Sequence, residues 1–283
     1  MKVLVVGGAG GVGSAVVARL LARGDAVTVT VLNEAEESVV RAANPGLVAV
    51  HRIDLSDAEA ARTDLRTAVG ETMLDAVAVC AAISPYGPLE SNSITLVRKT
   101  FEINLFSHVG IYQAVMPALR RSRGRIVFTG SMSGRIGLPF IGTYTASKFA
   151  LEGLADVMRR EAKGQGVAVS LVEPGGIKTP MVSKQLETLV GDIAALDDEQ
   201  RSRYGVLYRG FQVMATESHH GGASAPELVA DVLLRAIDDP VPAARYVVGP
   251  DAEQLIALSE DSSDEELDTI LLQTFADAAS RAG

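Results

Sequence analysis

Tyr144 and Lys148 are four positions apart, and Ser131 lies upstream of both. Residues at this spacing share one face of an α-helix, so the Lys148 ammonium is expected beside the Tyr144 phenol. An unperturbed tyrosine titrates at about 10 and accepts protons poorly at neutral pH. A cation within about 4–6 Å favours the phenolate and lowers that value, making the tyrosine usable as proton donor and acceptor. Ser131 would offer a hydroxyl to a substrate oxygen and hold a carbonyl or alcohol within reach. Proton transfer coupled to hydride transfer is the chemistry these side chains suit. An isolated Tyr-x-x-x-Lys also describes an ordinary helix pair, so its meaning depends on the elements around it.

The chain opens Lys2-Val-Leu-Val-Val6 and runs into Gly7-Gly8-Ala9-Gly10-Gly11-Val12-Gly13, followed by a helical stretch over 14–23. An apolar run bounded by glycine reads as a buried parallel strand. The glycines let the backbone turn sharply and approach a pyrophosphate, whose charge meets the amides and positive end of the next helix. A dinucleotide is the expected ligand, and its oxidised nicotinamide would add a second positive charge near Tyr144. The opening run is too short and glycine-rich for a signal peptide.

Strand patterns near 2–6, 26–32, 47–53, 74–80, 124–130, 167–173 and 244–248 alternate with helical ones. Such alternation predicts an α/β fold in which residues 1–283 form a single Rossmann-like domain. Its doubly wound parallel sheet has about seven strands and helices on both faces. Ser56-Asp-Ala-Glu59 offers a capping box for one of those helices. Ligands of such sheets lie beyond the C-terminal strand ends, where the glycine loop, Ala81, Ser131 and the 174–179 segment all fall.

These motifs resemble the short-chain dehydrogenase/reductase family from residue 2 to about residue 250. Gly7, Gly11 and Gly13 stand where the family has its cofactor glycines, with Gly10 and Val12 in the same loop and Val6 in place of the usual threonine. Asp54-Leu55 resembles the family's contact to adenine. Asn104 matches the asparagine that holds a proton-relay water, and Ser131, Tyr144 and Lys148 match the catalytic serine, tyrosine and lysine. Pro174, Gly175, Ile177 and Thr179 match the segment that covers the nicotinamide. The resemblance implies reversible oxidation of a secondary alcohol to a ketone, with Lys148 also holding the nicotinamide ribose.

The chain departs from the family in two places. Val79-Cys80-Ala81-Ala82 replaces Asn-Asn-Ala-Gly; Ala81 and Ala82 still allow close approach to the adenosine ribose, but the asparagine bonds to neighbouring strands are missing. The second strand ends in Asn33-Glu34, with neither an acid at the usual position nor a base. Asn33 can bond a ribose hydroxyl and Glu34 would repel the extra phosphate of NADP, so of NAD and NADP the reading leans to NAD.

A net charge of −9 disfavours nucleic acid, which is gripped by clustered Lys and Arg. No apolar run reaches the ~18 residues of a membrane span, and a cytoplasmic enzyme acting on a small alcohol or ketone is expected. The single cysteine, Cys80, reads as a small buried hydrophobe. His219-His220 has no acidic or cysteine partner at ligand spacing, and no metal site is expected.

Residues 180–225 lose the strand signal and are expected to form a substrate lid. Met181, Leu186, Leu189, Tyr204, Leu207, Tyr208, Phe211 and Met214 could line it and favour a bulky apolar substrate, or could instead anchor the lid to the core. Over 259–283 an acidic run precedes apolar residues at helical spacing, with Ser263 and Glu266 as a capping box, so an amphipathic helix must dock on its own or a sister subunit. The family's habits imply a homodimer or homotetramer formed through the helices around Asn104 and Tyr144. Two other functions remain open at this stage. A cofactor-binding regulator or scaffold would typically have lost the tyrosine or lysine. A dehydratase or epimerase would usually carry a larger C-terminal substrate domain.

Overall fold

In the computed structural model, which describes residues 1–281, the chain builds one parallel sheet of seven strands in the order β3-β2-β1-β4-β5-β6-β7. The strands are β1 Lys2–Val6, β2 Ala26–Val31, β3 Ala49–Arg52, β4 Ala76–Val79, β5 Arg125–Thr129, β6 Ala168–Pro174 and β7 Arg245–Val248. All seven expected strands are present, five of them one to three residues shorter than expected. The central ones are apolar on both faces, as burial between two helical layers requires. Leu4, Val6, Val77, Val79, Ile126 and Phe128 point into one core. Val3, Val5, Val27, Val29, Ala76 and Ala78 point into the other.

Helices α1 Gly11–Ala22, α2 Glu34–Ala43 and α3 Ala58–Val69 follow the first three strands. After β4 come α4 Ile94–Phe101, a π-turn Glu102–Phe106 and α5 Ser107–Ser122, then α6 Gly142–Lys163 after β5. α3 packs on α5 over one face, and α1 packs on α9, Pro226–Asp238, over the other. The chain reverses direction across the sheet between β1 and β4, and a crevice opens there beyond the strand ends.

Three boundaries differ from expectation. α3 is capped by Asp57, whose carboxylate accepts from the Ala60 amide at 2.9 Å; Glu59, the supposed partner of Ser56, instead pairs with Arg62 at 2.6 Å. The 180–225 segment is almost wholly helical, as α7 Pro180–Ala195, α8 Asp198–Glu217 and a π-turn Ser218–Gly222. The expected helix over 259–283 starts at its Ser263–Glu266 capping box as α11 Asp264–Ser280, and residues 259–261 instead end α10 Pro250–Asp261. Residues 282–283 of that expectation lie outside the described residues. α11 docks on α8 of its own chain, where Gly210 lets the α8 backbone lie against the Phe275 carbonyl.

Candidate active site

The glycine loop turns because Gly7 adopts a left-handed φ of 81°, and a Cβ there would stand 2.8 Å from the Ala81 Cβ. Gly13 is equally constrained, since a side chain would collide with the Gly7 carbonyl. α1 starts at a glycine N-cap, with no side-chain cap and no acid in its first turn. Its first amides therefore remain available to an anion. A cradle that any Cβ would fill, facing uncapped amides, suits a dinucleotide pyrophosphate.

Ser131 lies just beyond β5 and opens a short 3₁₀ turn, Met132–Gly134, where its Oγ accepts from the Ser133 amide at 3.1 Å. Tyr144 and Lys148 project from the first turns of α6 toward it. The Lys148 Nζ stands 5.6 Å from the centre of the Tyr144 ring. It donates to the Thr129 carbonyl at 2.8 Å, and its residue is only 2% exposed. Burial pushes the lysine down to about 8, opposed by the charges of Glu152 and Cys80. Burial also raises the Tyr144 phenol above its ordinary value, and a hydrogen bond with Ser131 works the other way. The expected lowering of the tyrosine by its lysine is thus not seen: desolvation wins and the ammonium is turned to a backbone carbonyl.

Asn104 sits in the π-turn that interrupts the α4–α5 helix, a local widening common at functional sites. Its buried side chain is fully engaged. Nδ2 donates to the Ile83 carbonyl at 2.8 Å and to Ser147 Oγ at 3.0 Å, and Oδ1 accepts from the Ile83 amide at 2.9 Å. It ties the stretch after β4 to α6.

A cavity of about 390 Å³ joins these groups. Gly10, Gly11, Val12 and Ala82 line it along with Ser131, Tyr144 and Lys148. Pro174, Gly175, Ile177 and Thr179 form its cover, and a Cβ on Gly11 would stand 2.9 Å from Thr179 Cγ2. Gly7, Gly13 and Ala81 shape the loop from behind. Asp54 is exposed and caps a turn by accepting from the Ser56 amide at 2.8 Å, while Leu55 packs against the core; neither lines the cavity. Cys80 does line it, with burial pushing its thiol up to about 12, far from a reactive thiolate.

Asn33 caps α2 through the Glu36 amide at 3.0 Å, and the Glu36 carboxylate returns to the Leu32 amide at 2.8 Å. Glu36 thereby reaches the end of β2, where sequence reasoning found no acid. The Asn-x-x-Glu spacing was its visible sign. Arg52 at the end of β3 is also near, and it pairs with Glu37 at 3.2 Å.

The lid residues divide. Met181, Leu186 and Phe211 line the cavity. Leu189, Leu207, Tyr208 and Met214 instead belong to an apolar cluster with Phe140 and Phe275, and Tyr204 bonds Glu90 at 2.6 Å on the surface. These five anchor the lid: four pack in that cluster, with Tyr208 edge-on to Phe140, and Tyr204 faces the surface. Sequence reasoning missed Ile141, Gln185 and His219 on the cavity wall. Gln185 donates to the Ser84 carbonyl, and nothing in its spacing announced it. Among the described residues no cluster of His, Cys, Asp and Glu could hold a metal, and no helix is long and apolar enough to cross a membrane.

Comparison with known proteins identifies the family and the fold. The family model for short chain dehydrogenases matches residues 1–189. Estradiol 17-beta-dehydrogenase 1 of Rattus norvegicus is 32% identical over 203 residues, covering 71% of this chain and 57% of the relative; the chain thus spans under two thirds of that protein. The NADPH-dependent 3-dehydrocapnine reductase of Ornithobacterium rhinotracheale is 29% identical over 255 residues, covering 87% of each chain. Among solved structures, a short chain dehydrogenase from Burkholderia cenocepacia in complex with NADP superposes with a TM-score of 0.72 at 23% identity, over 96% of this chain and 97% of the other. With its sheet order, its glycine cradle and its serine, tyrosine and lysine on one cavity, the chain belongs to the short-chain dehydrogenase family.

Proposed function

We propose that this protein is an NAD(P)-dependent oxidoreductase that interconverts a secondary alcohol and a ketone. The observation that carries the reading is the convergence of Ser131, Tyr144 and Lys148 on one cavity that runs from the glycine cradle to an apolar lid. When bound, the nicotinamide supplies or accepts the hydride. In the oxidative direction Tyr144 as its phenolate takes the hydroxyl proton, and in the reductive direction its phenol gives that proton to the forming alkoxide. Ser131 donates a hydrogen bond to the substrate oxygen and holds it within reach. Lys148 keeps a buried positive charge beside the phenol and is placed to bond the nicotinamide ribose. Asn104 fixes Ile83 and Ser147, and so the floor on which Tyr144 stands.

Met181, Leu186, Phe211 and Ile141 form a largely apolar wall, which favours a bulky apolar substrate. Relatives named for estradiol, for hydroxysteroids and for retinol support that class. For the cofactor, Glu34 and Glu36 near the end of β2 favour NAD, although one relative is named for NADPH. A cytoplasmic homodimer or homotetramer is part of this reading, with the exposed Phe106 and Phe149 near Asn104 and Tyr144 as its contact surface. Fluorescence titration with NADH and NADPH, followed by ketones of graded bulk, tests the whole proposal. Tighter NADH binding and rates that rise with ketone bulk are expected; no binding of either nucleotide would end it.

A further inference from the structure

Beneath the Ser131 turn lies a buried ionic cluster that the proposed chemistry leaves unused. Glu173, the penultimate residue of β6, is fully buried. Glu152, on α6 one turn beyond Lys148, is 7% exposed. A single nitrogen, Arg245 Nε on β7, faces both carboxylates, at 2.8 Å from Glu152 Oε2 and 3.2 Å from Glu173 Oε1. Its one hydrogen goes to Glu152. Arg135, directly after the Ser131 turn, stands 3.6 Å from the other Glu173 oxygen and also pairs with Glu260 of α10. Arg245 further reaches Asp156 at 3.2 Å, itself paired with Arg159 and Arg160.

Glu173 is therefore surrounded by positive charge but receives no hydrogen. Both its oxygens, and Oε1 of Glu152, are buried with no donor. Three buried acceptors without donors lie on two carboxyls that share the Arg245 nitrogen, and a proton on one of them would supply a donor and relieve the repulsion between neighbouring carboxylates.

The pair also touches the active site directly. A Cβ on Gly134 would lie 3.0 Å from Glu152 Cγ, and one on Gly130 3.4 Å from Glu152 Oε1, so both ends of the Ser131 turn rest on this side chain. Glu173 immediately precedes Pro174-Gly175, the cover of the cavity.

Resting on the oxidoreductase reading, we propose that Glu152 and Glu173 are positioning residues. They form a carboxyl–carboxylate pair that shares one proton and, clamped by Arg135 and Arg245, holds the Ser131 turn and the Pro174-Gly175 cover in register with Tyr144. Burial first, and then the Glu152 charge, push Glu173 well above the ordinary carboxylate range, against the pull of Arg135 and Arg245. The pair thus keeps its proton at mildly acidic pH and releases it as pH rises. Release places a second negative charge under the turn and weakens its register.

The test uses the full chain with NADH bound and two variants, Glu173→Gln and Glu173→Ala. Glutamine donates a hydrogen to Glu152 as the protonated acid does, whereas alanine cannot. Infrared difference spectra of the wild-type protein at mildly acidic to neutral pH, where ordinary carboxyls are ionised, should show a carboxylic-acid carbonyl band that titrates away with alkali and is missing from both variants. Amide exchange over 131–136 should be slow in the wild type and Glu173→Gln and fast in Glu173→Ala. In reduction of a bicyclic ketone, Glu173→Gln should keep its kcat and lose the alkaline fall of the wild-type pH profile. Glu173→Ala should lose about 100-fold in kcat, as misplacement by an ångström does, with NADH affinity unchanged. A wild-type protein without the infrared band, or Glu173→Ala with normal amide protection, would overturn the proposal. Should the wild type bind NADH but reduce no ketone, the oxidoreductase reading fails, and the band and the amide exchange alone decide the pair.

Discussion

Replacing Lys148 by methionine should make the protein less active yet almost as stable, with a difference that depends on pH in a defined direction. The ammonium is 2% exposed and is held down to about 8 from its ordinary 10.5. That depression costs about 3 kcal/mol at neutral pH, where the folded chain must carry the charge without water. The sign follows from linkage. Between about pH 8 and 10.5 the unfolded lysine binds a proton that the folded one has released, so wild-type stability gains as pH rises through this window. Methionine abolishes the gain and leaves the Thr129 carbonyl without its donor, a loss of about 1–3 kcal/mol at every pH. At pH 7 the two effects nearly cancel. By about pH 10.5 the wild type should be ahead by that same hydrogen-bond loss, a change of about 3 kcal/mol in the difference between the proteins. Urea unfolding of both across this range measures it, and taking the difference removes every other titrating group. A difference independent of pH would mean that the lysine is not desolvated as described and would refute the reasoning.

Gly13→Ala should shift the start of α1 away from the Gly7 carbonyl, costing about 1–3 kcal/mol in urea unfolding and at least ~10-fold in NADH affinity; affinity within twofold of wild type would contradict the cradle. Phe275→Ala removes a ring that is 3% exposed between α11 and the lid, and should cost about 3–5 kcal/mol by the same assay; a loss below ~1 kcal/mol would mean that α11 does not dock on α8. Leu186→Trp should fill the lid end of the cavity and slow bulky ketones at least ~10-fold more than small ones, as steady-state rates with a graded series would reveal. Equal slowing across the series would place Leu186 outside the substrate path.

What could be read from the chain followed physical rules with local signatures. The central strands β1 and β4 read as apolar runs because they are buried on both faces, while the edge strands β3 and β7 carry His51, Arg52 and Arg245 and were visible through the alternation with helices. The glycine loop was visible because only glycine fits its turn and its packing. Ser131, Tyr144 and Lys148 were legible as types and spacing, and the fold brings them to one cavity. Their electrostatics were not legible. The sequence places a cation beside a phenol, but whether that cation or desolvation controls the tyrosine depends on depth, and depth comes from the whole fold. Glu36 escaped notice because its carboxylate reaches the end of β2 by folding back across a helix cap. The lid was legible as a segment without strands. Which of its apolar residues face the cavity depended on tertiary packing, since Leu207, Tyr208 and Met214 join a cluster built on Phe140, Leu189 and Phe275.

The account stands most directly on Tyr144, and Tyr144→Phe removes one oxygen while leaving the ring and the cavity walls in place. NADH fluorescence and NADH-dependent reduction of a bulky ketone should be measured on the same samples of this variant and the wild type. The account predicts nucleotide affinity within about twofold and a loss of turnover of at least ~100-fold, the share contributed by a positioned proton donor. Turnover preserved at equal nucleotide occupancy would contradict it.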